Sequence, residues 1–145
     1  MGLFDFLKPK FYSKKFVSET SFNINCDKQI QMTPEILDQL QKLNIVGDKE
    51  LKLEFLFYTN TAEKAQQLAT EIEKLNYTVQ QGVSAGDKRL FTVTGWTTTM
   101  KMTVEVVKLW TKQMCELGYK FDCEFDGWRT DPDQNDKRVT TENAR

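Results

Sequence analysis

Between positions 51 and 125 the apolar residues follow two rhythms, one of period two and one close to 3.6, and their order predicts strands alternating with helices. Leu51, Leu53, Phe55 and Phe57 alternate with Lys52, Glu54, Leu56 and Tyr58, as in a strand with one buried face. Asn60 can cap the helix that follows, with Glu63 three residues on in a variant capping box. Ala65, Leu68, Ala69, Ile72 and Leu75 fall on one face of that helix, and Asn76 suits the left-handed residue that ends it. A strand over 77–83, a turn at Gly86-Asp87 and a third strand over 89–96 come next. A second helix is expected over 102–117, with Val106, Val107, Trp110, Met114 and Leu117 on one side and Gly118 as its stop. The last strand, 120–125, sets Phe121, Cys123 and Phe125 against Asp122 and Glu124. Upstream, Thr33 as N-cap and Pro34 at the first helical position begin a short helix over 33–43, striped by Ile36, Leu37, Leu40 and Leu43. Gly47-Asp48 then marks a turn.

The two halves repeat. One helix leaves through Leu75-Asn76-Tyr77-Thr78-Val79 and the other through Leu117-Gly118-Tyr119-Lys120-Phe121, each with Leu, a cap residue, Tyr and an entering strand. Two strand–helix–strand halves joined by a short turn predict an α+β, ferredoxin-like βαββαβ fold. That fold is a four-stranded antiparallel sheet with two helices on one face, here preceded by a short N-terminal helix. The expected division is an N-terminal appendage over 1–31, a core domain over 32–130, and a polar tail over 131–145 too poor in apolar residues to fold.

With 145 residues the chain has the size of one domain, about 100–150 residues being commonest. Twenty basic residues against 21 acidic ones leave no basic excess for phosphate binding, and 89–94 lacks the RNA-recognition signature, so direct nucleic-acid binding is not expected. Charge is unevenly placed: Lys8, Lys10, Lys14 and Lys15 make the start basic, while Asp122, Glu124, Asp126, Asp131, Asp133 and Asp136 make the end acidic. An acidic patch steers a basic protein partner. Cys26, Cys115 and Cys123 are an odd, widely spaced set, as in a reducing cytosol, and each reads as a small buried apolar residue. No window matches a membrane span, the start lacks the run of a signal peptide, and Phe6 breaks the myristoylation pattern, so a cytoplasmic protein is expected. Leu3, Phe4, Phe6 and Leu7 can form an amphipathic turn or two before Pro9. Such a turn is an expectation from the pattern, and the segment reads as a loosely packed terminus, or alternatively as a hook for a membrane surface or partner.

The chain has no histidine, which removes Ser-His-Asp and Cys-His catalysis and most zinc sites, and no Gly-rich phosphate loop. No catalytic residue, metal or cofactor is therefore expected. Asp122, Glu124 and Asp126 stand two apart on a predicted strand and can share one face. Such a row suits a partner-binding patch. The alternative is a small ligand- or metal-binding domain, or an enzyme, built on the same acidic strand. Gly127 permits a bend or bulge there. Trp128 is either an interface anchor or a lid over the core. The candidate protein-binding residues are thus Asp122, Glu124, Asp126 and Trp128. No pattern specifies an oligomeric state.

Four segments together resemble the RraB family, the regulators of ribonuclease activity. They are Leu53-Glu54-Phe55-Leu56-Phe57-Tyr58-Thr59, Leu75-Asn76-Tyr77-Thr78-Val79, Thr97-Thr98-Thr99 and, most specifically, Phe125-Asp126-Gly127-Trp128-Arg129-Thr130. The resemblance runs from about Met32 to Asp131 and implies a ferredoxin-like, non-enzymatic inhibitor. Such a protein binds the scaffold region of ribonuclease E outside its catalytic domain and lowers RNA cleavage. Arg129 stands where the family usually has an acid, which softens the acidic patch.

Overall fold

The computed structural model describes residues 15–43 and 49–131. The expectations at Leu3–Leu7, at Gly47-Asp48 and for the tail beyond Asp131 lie outside them. The described elements are α1 (Glu19–Lys42), β1 (Glu50–Leu51), β2 (Glu54–Thr59), α2 (Ala62–Glu73), β3 (Thr78–Val83), β4 (Phe91–Trp96), β5 (Met100–Lys101), α3 (Val104–Lys120) and β6 (Glu124–Arg129).

The architecture is α+β. Four strands form an antiparallel sheet in the order β3-β4-β2-β6, and β1 and β5 form a separate two-stranded ribbon. The alternating run from Leu51 is therefore two strands in different sheets rather than one. Leu53 at the break is held by Thr97: its N–H donates to the Thr97 hydroxyl at 2.9 Å and its carbonyl accepts from the Thr97 N–H, also at 2.9 Å. The core lies between the sheet and the helices. Phe55, Phe57, Val93 and Phe125 supply its sheet side, and Leu68, Ile72, Val107, Trp110 and Met114 its helix side. Trp110 meets Phe125 edge-on at 5.9 Å and donates its indole N–H to the Tyr77 hydroxyl at 3.2 Å.

The N-terminal helix differs most from expectation. It is 24 residues long, starts at Ser18 rather than Thr33, and runs unbroken across position 31, where the appendage was expected to end. Ser18 caps it by accepting from the Ser21 N–H at 3.1 Å. Phe22, Cys26, Ile30, Thr33, Leu37 and Leu40, three or four apart, make one stripe that carries the helix through Pro34 despite the missing N–H. Thr33 is buried mid-helix, with its hydroxyl donating to the Gln29 carbonyl at 3.3 Å. The Thr-Pro pair resembles a helix start and is an interior step. Phe22 stacks on Tyr119 at 4.3 Å, so α1 lies against α3.

Two caps also move. Thr61, not Asn60, caps α2 by accepting from the Lys64 N–H at 3.2 Å, while Asn60 accepts from the Lys64 ammonium at 2.9 Å. Asn76 does take a left-handed φ of 66°. Gly118, however, does not stop α3, which continues to Lys120; the left-handed residue there is Asp122, with φ 59°. The structural counterpart of Asn76 is thus Asp122, four residues beyond Gly118. Gly118 serves a close approach instead: a Cβ on it would stand 2.7 Å from the Phe57 ring and 2.8 Å from the Cys123 carbonyl oxygen. Since one of those neighbours is backbone, Gly118→Ala is expected to lower stability by about 1–3 kcal/mol, read from the urea midpoint at unchanged slope.

Candidate functional site

Asp122 enters its left-handed turn with its carboxylate pointed back into the molecule. It accepts from the backbone N–H groups of Phe16 at 2.7 Å and Val17 at 2.8 Å, and from the Lys64 ammonium at 2.6 Å. Its side chain is 15% exposed. Burial works to raise its pKa, but the bonds from Lys64, Val17 and Phe16, with the Lys64 charge, outweigh burial and hold the carboxyl below the usual range. The row of three carboxylates expected on one face does not form: Asp122 precedes the strand and is taken up in a structural clasp.

Glu124 and Asp126 are on β6. Glu124 pairs across from Tyr58 and is half-buried; Asp126 is exposed. Burial raises the pKa of both; the Asp126 charge adds to the rise at Glu124, and Lys28 offsets part of it at Asp126. Among the described residues neither is in an ion pair.

Between Phe125 and Trp128 the strand bulges, so that Leu56 alone faces Asp126 and Gly127. Gly127 has φ +110°, a conformation that disfavours any side chain, and Gln29 of α1 lies over it. The bulge resets the alternation. Trp128 falls opposite Phe55 on the core side, half-buried against the cluster, and Arg129 falls opposite Glu54 on the other face. Trp128 thus packs against the core while staying partly exposed. Arg129 is 81% exposed and its guanidinium bonds the Glu54 carboxylate.

The sheet face away from the core carries Glu54, Leu56 and Tyr58 of β2 beside Thr92, Thr94 and Trp96 of β4, all half-buried. These residues were not among the candidates, although the period-two pattern of β2 already placed Leu56 and Tyr58 together on that side. A groove of about 320 Å³ opens beside the bulge, lined by Glu54, Leu56 and Thr94 of this face and also by Phe55, Asp126, Gly127, Trp128 and Arg129.

The cysteines are core side chains. Burial pushes the Cys123 thiol up to about 12 and raises those of Cys26 and Cys115 as well, so all three stay protonated at neutral pH. Among the described residues no group of three or more His, Cys, Asp or Glu side chains is placed to hold a metal ion. No helix among them is long and apolar enough to cross a membrane.

The described residues therefore make an α+β domain whose distinctive surface is a bulged acidic strand beside a partly open tryptophan. The chain belongs to the RraB family: the family model described as Regulator of ribonuclease activity B matches residues 30–130. No curated protein matches the chain.

The Asp122 clasp yields a stability prediction. Asp122→Ala removes an ionised acceptor shared by two N–H groups and an ammonium, and is expected to cost about 2–3 kcal/mol. Because the folded carboxyl titrates below its ordinary 3.8, its contribution is whole above that value and is lost as pH falls through the lowered one. Asp122→Asn should accordingly flatten the acid limb of the stability curve, followed by urea unfolding at graded pH.

Proposed function

We propose that the chain is a non-catalytic, cytoplasmic regulator of RNA turnover that acts by binding a ribonuclease through the bulged end of β6. The observation that carries this reading is the pair Glu124 and Asp126. Glu124 is half-buried and Asp126 exposed two residues on, and among the described residues neither makes an ion pair, Lys28 offsetting only part of the rise in pKa at Asp126. A cationic segment docked beside them would stabilise both charges, while the adjoining groove, floored by Leu56 and flanked by Trp128, would take an apolar anchor. Arg129 answers Glu54, so the acidic character rests on positions 124 and 126. Family membership supports the ribonuclease, and the resemblance of the Asp-Gly-Trp segment supports the scaffold region of ribonuclease E as the bound part. The order β2–α2–β3–β4–α3–β6, with sheet order β3-β4-β2-β6, supports a ferredoxin-like reading of the core.

Calorimetry against a ribonuclease E scaffold fragment tests the site. Asp126→Lys, at an exposed position, is expected to weaken binding roughly tenfold, about 1.4 kcal/mol, with thermal stability unchanged. Trp128→Ala is the less clean variant, since it also opens the core beside Phe55. Because both carboxylates titrate above their ordinary values and must be ionised to meet a cation, affinity should rise with pH through the mildly acidic range and level off near neutrality. Full affinity in an Asp126→Lys, Glu124→Lys double variant would remove the patch from the mechanism.

A further inference from the structure

The two edges of the main sheet are treated differently. At β6, helix α1 lies alongside and Asn25 donates its side-chain amide to the Phe125 carbonyl at 2.7 Å, filling an outward-facing acceptor. At β3 the strand pairs with β4 alone, and no other strand among the described residues pairs with its outer edge. Edge strands are commonly protected by charge, proline or a bulge. The β3 sequence, Thr78-Val79-Gln80-Gln81-Gly82-Val83, has no charged residue and no proline, its register with β4 is unbroken, and most of it is exposed.

We infer that β3 is the seat of a symmetric pairing between two copies of this chain, the two strands running antiparallel about a two-fold axis at Gln81. The Ser84 N–H donates to the Leu90 carbonyl at 2.9 Å, in step with the pairing of Thr78 with Trp96. In an antiparallel ladder this phase turns the N–H and C=O groups of 78, 80 and 82 toward β4 and those of Val79, Gln81 and Val83 outward. A two-fold axis normal to the sheet keeps the helices of both copies on one side, so paired positions must belong to the same face. Centring on Gln81 meets that condition and uses all three outward residues. It sets Gln81 against itself and Val79 against Val83 of the second copy, twice. Val83 is 55% exposed and Leu75, in the turn between α2 and β3, 46%; these are the large apolar side chains that residues 62–83 leave in solvent. A charge at the axis would face its own copy, and Gln81 carries none. The strand is its own complement, which favours a second copy over an unrelated segment.

Sedimentation equilibrium tests this. A contact of strand size lies at the small end of stable interfaces, so a dimer with Kd between about 1 µM and 1 mM is expected. Gln81→Pro removes an outward N–H without touching the donors that face β4, and should give a folded monomer. Gln81→Lys should weaken the dimer about fivefold through like charges at the axis. Mixing Gln81→Lys with Gln81→Glu should restore association as a heterodimer. A wild-type chain that stays monomeric throughout overturns the pairing and leaves the edge to an extended segment of another protein. So does a dimer indifferent to all three substitutions.

Discussion

One aspartate joins four separate parts of the chain. Asp122 binds the backbone just before α1, the ammonium of Lys64 on α2, and sits itself at the turn between α3 and β6. Its own carbonyl accepts from the Thr59 hydroxyl at 2.9 Å, bringing in the end of β2. The side chain is mostly shielded, so the ammonium and the two N–H groups meet an acceptor that water competes for poorly. The left-handed backbone at 122 aims the carboxylate inward, and a short polar residue tolerates that conformation better than most. The position of β6, and with it the acidic patch, depends on this turn.

The bulge at Asp126-Gly127 is the second constraint. Without the extra residue, strict alternation from Phe125 would put Trp128 on the bare face and turn Arg129 toward the core. With it, an aromatic ring joins Phe55, and a guanidinium reaches Glu54 across the outer face. Gly127 permits this because its φ of +110° is cheap only without a side chain. The Asp-Gly-Trp segment is therefore first a folding device. The acidic surface it leaves beside the groove is a consequence of how the strand must bend.

Much of this was legible in the residues, for identifiable reasons. The paired strand–helix–strand units stood out because Phe55, Phe57, Leu68 and Ile72 on one half, and Val107, Met114 and Phe125 on the other, keep strict periods over buried faces. The bend at Gly127 was legible from glycine itself. Asp122 misled because alternation along a short stretch cannot show where a strand begins: it shares the phase of Glu124 and Asp126 but precedes the ladder. Gly118 misled because a glycine near a helix end reads as a stop, while here the Phe57 ring and the Cys123 carbonyl require its lack of a side chain. The first half of α1 went unread because Asn25, Asp27, Lys28 and Gln29 dilute its stripe, and Thr33-Pro34 imitates a beginning. Tertiary contact with α3, through Phe22 on Tyr119, supplies what the local sequence lacks.

That helix bears on how the domain presents itself. The family match begins at residue 30, yet Phe22, Asn25 and Gln29 lie before it and frame β6: one stacks on α3, one fills the Phe125 carbonyl, one covers Gly127. Lys28, which tempers the charge of Asp126, belongs to the same stretch. Asp126 and Gly127 thus lie within the matched region, while some of the groups that set their charge and accessibility lie outside it. The surroundings of this strand are therefore set by residues on both sides of the start of the matched region.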